Sequence, residues 1–352
     1  MNFIVTILIL FVMLGLIISI HEFGHFIAAK KSGVYVDEFS LGMGPLIFKR
    51  KPKNSETTYS LRLFPIGGFV SMAERYDPKA KVKKDRVLEN KKFFNVLWVL
   101  INGIVFNFIL AIVLFFISGL IYGRPVSEPV ISSVVEGGSA YNAGIEAGDR
   151  ILAVNGSTVN TWDDFILEAS AKKLQDEYVF KVEKSDGTIK EYTLVPEIKE
   201  ENGEQTRVFG IISTGTTYRK GLGNAFIYAF SGTYENTITI FKILGSLFTG
   251  QISVKNLSGP VGIYSIVDTV KGRGLLTLIY LTAYLSINVG VVNLIPVPVF
   301  DGGRVLILLI ETITGHKSSD KLESILNYVG FALMILLMIF VTFNDISRLV
   351  VG

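Results

Sequence analysis

The sequence predicts a polytopic α-helical membrane protein with four transmembrane helices and an inserted extracytoplasmic α+β domain. Three observations lead there. Of 352 residues, 49% are hydrophobic and only 18% charged, where an ordinary soluble domain carries about a quarter charged residues. Uncharged runs recur at the length that crosses a bilayer, about 20 residues. One long segment between them has instead the composition of a soluble domain. Mean hydropathy is +0.47. With 25 Phe and 14 Tyr the chain has too much apolar surface to stay disordered. The absence of cysteine excludes disulfides, a thiolate nucleophile and Cys-ligated metals. A net charge of +3 is too small to suggest nucleic acid as a partner.

Residues 3–20 carry no charge, and the helical pattern continues to Ala29, enough for a tilted first span. A cleaved signal peptide is the alternative, disfavoured because no Lys or Arg precedes the run and no small-x-small site follows it. Residues 96–121 are uncharged throughout and form the clearest span. Residues 275–300 are uncharged too, but Pro296 and Pro298 must interrupt any helix there. Residues 325–343 make a fourth span. Between the first two spans, residues 30–94 hold 15 basic against 7 acidic residues, whereas residues 124–220 hold 11 against 16. The positive-inside rule then places the basic loop in the cytoplasm, and the N-terminus, the acidic segment and the C-terminus outside.

Within the acidic segment, residues 130–135 and 178–183 alternate as strands do, and Gly137-Gly138, Gly144, Gly148-Asp149 and Asn155-Gly156 are turn signals. The stretch from Gly137 to Phe165 resembles the core of a PDZ domain. Residues 219–250 read as one or two amphipathic helices. The expected organisation is a first membrane half (1–123), a PDZ-like domain (124–218), a helical connector (219–274) and a second membrane half (275–352).

His21-Glu22-Phe23-Gly24-His25 is an H-E-x-x-H motif at the end of the first span. Two His at i and i+4 project from one helix face and can bind one zinc ion through neutral imidazoles. Glu22 lies about 100° further round the helix, beside a metal rather than on it, where it can accept a proton from water. Polar side chains inside an apolar helix are costly and mark function. A catalytic zinc needs a third protein ligand. Asp301 is the candidate, because it follows the proline-broken uncharged run and must face a partner inside the bundle; pairing with Arg304 is the bland alternative. His316 sits in a polar loop, and Glu311 is the runner-up acid.

These motifs, with Asn293-Leu294-Ile295-Pro296-Val297-Pro298-Val299-Phe300-Asp301-Gly302-Gly303, residues 64–70 (FPIGGFV) and residues 257–262 (LSGPVG), resemble the site-2 protease family of intramembrane zinc metalloproteases. Within that family the branch of the bacterial regulator of sigma-E protease is most similar. Two departures stand out. The second span reads Asn102-Gly103-Ile104, where the family usually has proline after the glycine, and only one PDZ-like domain fits, as in the shorter form common in Gram-positive bacteria.

The resemblance implies a multi-pass enzyme of the bacterial cytoplasmic membrane that cleaves single-span membrane proteins, such as anti-sigma factors or signal-peptide remnants, after their ectodomains are shed. It implies zinc on His21, His25 and Asp301, with Glu22 as general base and the site open towards the cytoplasm. It also implies that Asn293 and the re-entrant β-loop at Gly67, Gly68 and Phe69 hold unwound substrate. On the residues alone, the alternative for Asn293 is a polar cap on a helix broken by Pro296, and Gly67-Gly68 could equally turn an ordinary soluble hairpin. Two rivals belong to other classes: a non-catalytic PDZ membrane receptor, against which the intact Glu22 speaks, and a zinc transporter, which tends to have repeated halves.

Overall fold

In the computed structural model, residues 2–79, 82–170, 177–201, 204–250, 253–254, 257–316 and 318–351 are described. The chain divides into two compact units, one of residues 1–121 with 225–352 and one of residues 122–224.

The larger unit opens with α1 (Asn2–Lys31), 30 residues long and so about 45 Å at 1.5 Å per residue. Its first charged residue is Glu22, and Lys30 and Lys31 end it. Next comes a hairpin of β1 (Val36–Arg50) and β2 (Thr58–Met72) whose two arms each pair twice. Residues 36–41 lie between 68–72 on one side and 58–61 on the other, and 58–62 lie between 36–41 and 46–50. Both arms therefore curl into a sheet whose edges are residues 68–72 and 46–50. The bend in β2 falls at Pro65–Gly68, where Gly67 adopts φ 79°. Residues 59–72, whose sequence alternates as a β-hairpin would, are thus not a hairpin by themselves. They form one arm, and residues 59–61 pair both with 39–41 and, across the turn at residues 52–55, with 48–50.

α2 (Phe93–Ile121) is the second long apolar helix. After the smaller unit, α5 (Leu222–Phe248), α6 (Pro260–Val270), α7 (Leu275–Asn293), α8 (Asp301–Thr314) and α9 (Asp320–Val351) complete the larger one. Among the described residues four helices are long and apolar enough to cross a membrane: Phe3–Lys31, Phe93–Ile121, Leu275–Asn293 and Lys321–Arg348. α5 packs into the groove between α2 and α7. Gly119 lets Ala225 approach so closely that an added Cβ would lie 2.8 Å from the Ala225 Cα. Phe115 packs on Tyr228 and Tyr280, and Ile240 joins Ala111, Ala283, Ile287 and Val291 in one cluster.

The motif at residues 257–262 finds a structural role in the junction of α6 with α9. Asp345 is buried, and its carboxylate accepts the backbone N–H of Gly259 (2.9 Å) and of Gly262 (2.7 Å). A carboxylate is favoured at a helix N-terminus by the unpaired amides there. A Cβ on Gly259 or Gly262 would lie within 3.0 Å of that carboxylate, which is why both positions are glycine.

The smaller unit comprises β3 (Arg124–Ser127), β4 (Ile131–Val134), α3 (Ser139–Asn142), β5 (Arg150–Val154), β6 (Ser157–Thr158), α4 (Trp162–Ser170), β7 (Tyr178–Glu183), β8 (Ile189–Leu194), β9 (Glu197–Glu201), β10 (Glu204–Val208), β11 (Ile211–Ser213) and β12 (Thr216–Arg219). One sheet has the order β6-β5-β7-β8, while β3 pairs β12, β4 pairs β11 and β9 pairs β10. Tyr178, Phe180 and Val182, alternate residues of β7, point into a core with Ile131, Ile151, Phe165 and Phe209. The intervening residues face out, as a period of two requires.

Candidate metal centre

The H-E-x-x-H segment lies between α2 on one side and the 65–72 half of β2 on the other. A Cβ on Gly15 would meet the Pro65 carbonyl oxygen at 2.1 Å, the Ile18 side chain packs at Gly67, and the Val70 backbone N–H donates to Glu22. Residues 15, 18 and 22 form one stripe of α1, and they meet residues 65, 67 and 70 in order. The edge strand therefore runs alongside the helix and ends at the glutamate. On the other side, a Cβ on Gly24 would strike the Asn102 carbonyl oxygen at 2.3 Å, so α1 and α2 cross in backbone contact.

Asp301 arrives from a different part of the chain. α7 stops at Asn293, and residues 294–300 form a tight loop with Val297 N–H on the Ile295 carbonyl and Phe300 N–H on the Val297 carbonyl. The loop folds against the start of α8 so closely that a Cβ on Gly302 would meet the Leu294 oxygen at 2.4 Å, and one on Gly303 the Val297 oxygen at 2.2 Å. The Gly-Gly pair after Asp301 is thus a requirement of this fold-back, which puts Asp301 at the first position of α8.

His21, His25 and Asp301 converge. His21 Nε2 lies 3.1 Å and His25 Nε2 3.3 Å from Asp301 Oδ2, and the two Nε2 atoms are 3.2 Å apart. A zinc ion with ligands at 2.0–2.1 Å and tetrahedral angles sets ligand–ligand edges of about 3.3 Å, so the three atoms have the dimensions of one face of a tetrahedron. The proton positions agree. His25 Nδ1 is 2.8 Å from the Val99 carbonyl oxygen, which can only accept. Its proton is therefore on Nδ1, and Nε2 presents a lone pair. That lone pair faces Asp301 Oδ2, which is buried and receives no hydrogen bond. Lone pairs held against one another away from water repel unless a cation lies among them. The donor set fits zinc.

Glu22 lines a cavity of about 140 Å³ together with His25, Asp301, Val70, Val99 and Leu100. This cavity shares Glu74, Leu88, Leu100 and Arg304 with a larger one of about 1020 Å³ that reaches Tyr328 and Phe331 of α9. Arg304 does not pair with Asp301; its guanidinium grips Glu74 at 2.7 and 3.1 Å. His316 is exposed, with Nδ1 2.8 Å from the Thr314 carbonyl, and Glu311 accepts from the N–H and Oγ of Ser318. Neither joins the cluster. Asn293 is half-buried as the last residue of α7. Gly67 and Gly68 are buried, and Phe69 lies under the Arg62 guanidinium, 5.1 Å from its ring centre.

Sequence reasoning does not reach one side of this site. Val99, Gly103 and Asn107, at i, i+4 and i+8, form a single stripe of α2 facing the two imidazoles. A Cβ on Gly103 would lie 2.4 Å from His25 Nε2 and 2.8 Å from His21 Nε2, so only glycine leaves room for both rings. Asn107, fully buried, has Nδ2 3.2 Å from His21 Nδ1. An asparagine inside an uncharged span was the available signal; a backbone carbonyl and a glycine carry none.

The pattern of peptidase family M50 matches residues 9–337. This chain belongs to peptidase family M50, the site-2 protease family. The M50 chain is similar to the regulator of sigma-W protease RasP of Bacillus subtilis, 32% identical over 99% of both chains. It is similar to the zinc metalloprotease RasP of Bacillus licheniformis, 31% identical over 99% of this chain and 100% of that one. The zinc metalloprotease RasP of Oceanobacillus iheyensis is 32% identical over 98% of this chain and 99% of its own. Membership makes the M50 chain a zinc metalloprotease. A PDZ domain of an SdrC-like protein from Listeria innocua aligns over 100% of its length with 26% of this chain, at 23% identity and a TM-score of 0.22, a likeness too slight to carry an argument.

Proposed function

We propose that this M50 protease hydrolyses peptide bonds in or beside the transmembrane helices of single-span membrane proteins whose ectodomains have already been removed. Anti-sigma factors and signal-peptide remnants are the substrate class. The observation that carries the reading is the convergence of His21, His25 and Asp301, from two distant segments, within 3.1–3.3 Å of one another beside Glu22.

When bound, zinc polarises the scissile carbonyl and acidifies a water molecule. Everything else falls to the chain's own residues. His21, His25 and Asp301 hold the metal. Glu22, oriented by the Val70 N–H, takes the water's proton as general base and passes it to the leaving amine. A helical peptide bond is shielded by its own hydrogen bonds, so the substrate has to unwind. The edge of residues 68–72, whose Val70 N–H meets Glu22, suits the addition of an extended peptide as another strand, with Gly67, Gly68 and Phe69 at its start; Asn293 is the other substrate-holding residue in this reading.

The sidedness follows the charge pattern: basic loop 30–94 inside, N-terminus and PDZ-like segment 124–218 outside, in the cytoplasmic membrane of a bacterium. The exposed Met43, Leu46, Ile47, Phe48 and Phe64 of the hairpin favour a re-entrant element dipping into lipid. The PDZ-like segment then screens substrates by the size of their ectodomain and takes no part in the chemistry.

Elemental analysis of purified Asp301→Ala and His316→Ala tests the ligand set. Asp301→Ala is expected to lose most of its zinc and His316→Ala to keep it. Equal zinc in wild type and Asp301→Ala overturns the assignment.

A further inference from the structure

The two imidazoles are held differently, and the difference assigns a role to Asn107. His25 Nδ1–H donates a hydrogen bond to the Val99 carbonyl, 2.8 Å away. His21 Nδ1 faces the side-chain amide of Asn107, with Nδ2 3.2 Å away, while Asn107 Oδ1 is buried and has no partner. The two ends of an amide have nearly the same shape, and a half-turn exchanges them.

Only one orientation is compatible with His21 as a metal ligand. With Nδ2 donating, Nδ1 is the lone pair and the neutral ring carries its proton on Nε2, aimed at Asp301 Oδ2 and His25 Nε2, 3.1 and 3.2 Å away. No lone pair is then left for a cation. With Oδ1 turned to the ring, Nδ1–H donates to it, Nε2 is bare, and the orphaned oxygen is satisfied.

We propose that Asn107 is a positioning residue for the metal: its amide oxygen accepts the His21 Nδ1 proton and so fixes the tautomer that turns Nε2 to zinc. The inference rests on the reading of His21 as a ligand. α2 then serves both histidines from one stripe, Val99 for His25 and Asn107 for His21, with Gly103 between them. α7 braces the point of contact. Ser286 Oγ donates to the Asn107 backbone carbonyl at 2.9 Å, and Gly290 leaves α7 close to the Asn107 Cβ. Metal-bound histidines generally donate their second N–H to such an acceptor, and its loss costs about 10–100-fold in affinity.

The test is Zn2+ affinity of the full-length, detergent-solubilised chain, measured by competition with a chelating indicator for wild type, Asn107→Leu, Asn107→Asp and His21→Ala. Asn107→Leu keeps the volume but cannot accept, and is expected to bind Zn2+ about 10–100-fold more weakly. Asn107→Asp, an acceptor at both oxygens, restores binding. His21→Ala separates the two levels: if it binds Zn2+ like wild type, the ligand reading falls, whereas wild-type affinity in Asn107→Leu beside a weak His21→Ala overturns this inference alone. If Asn107→Asp is as weak as Asn107→Leu while both melt like wild type without metal, the inference is overturned. Where either variant fails to fold, 15N NMR of the imidazoles in Zn2+-loaded wild type decides: a protonated His21 Nδ1 supports the assignment, and a bare one refutes it.

Discussion

The 122–224 unit and the membrane unit use the same residue types in opposite ways. In the smaller unit Ile131, Ile151, Tyr178, Phe180 and Val182 are completely buried, and the one buried charged residue among those described, Asp149, is paired with Lys184 at 2.9 Å. In the larger unit Leu333, Leu336, Ile339 and Phe343 of α9 are mostly exposed, while Asn102, Asn107, Ser118 and Ser286 are buried between helices. Water drives apolar groups together in the first case. In the second, lipid tails are as apolar as the side chains, so helix association depends on close approach and on polar contacts. Gly24 against Asn102, Gly119 against Ala225 and Ser286 on the Asn107 carbonyl are contacts of that kind. The interior of the membrane unit is therefore where polar chemistry can be concentrated, and the cluster of His21, His25 and Asp301 sits there.

Two substitutions put this contrast to the test. Phe180 is fully buried and packs on Phe165 and Phe209, so Phe180→Ala is expected to destabilise the 122–224 unit by about 3–5 kcal/mol. Leu336→Ala removes a side chain of comparable hydrophobicity that faces the surroundings, and in lipid it is expected to cost less than about 1 kcal/mol. Hydrogen exchange of the full-length protein, read separately in the two units, measures both. Similar losses of protection from the two changes would break the contrast.

A smaller effect marks the water-facing border of the membrane unit. Glu56 receives the Arg86 guanidinium and, at 2.9 Å, Lys30 at the end of α1, and the Arg86 hydrogen bonds above all hold its carboxyl down to about 2. A depressed carboxylate stabilises the fold fully above its ordinary value near 4.5 and loses that contribution as pH falls towards 2. The tie of residues 84–86 to the α1 end should therefore loosen between about pH 4.5 and 2, by no more than about 1 kcal/mol for so exposed a network. Limited acid proteolysis of this segment should show the loosening in wild type and a flat pH response in Glu56→Gln. The same pH response in both proteins would remove Glu56 as its source.

How much of this could be read beforehand depends on what each feature is made of. The four helices long and apolar enough to cross a membrane were legible because bilayer thickness fixes the length of an apolar run. The closeness of His21 and His25 was legible because both sit on one helix at fixed spacing. Asp301 was reachable because a carboxylate after a proline-broken apolar run has few places to go. The double pairing of β1 and β2 was not, since residues 36–41 find 68–72 only after Pro65–Gly68 bends the second arm. Nor was the seat of residues 257–262: the partner of Gly259 and Gly262 is Asp345, more than 80 positions away. The stripe of Val99, Gly103 and Asn107 acts through a carbonyl, a missing Cβ and an amide, and it acquires meaning only from the crossing of α1 and α2.

The central claim is that one side chain does proton chemistry beside three that hold the metal. Glu22→Gln tests it most directly, because glutamine keeps the size of the side chain but cannot take a proton from water at neutral pH. Purified Glu22→Gln should retain the zinc content of wild type and cleave a transmembrane substrate in proteoliposomes at least about 10²-fold more slowly. Near-wild-type cleavage would contradict the assignment of Glu22 as general base, and loss of zinc would make Glu22 a ligand instead.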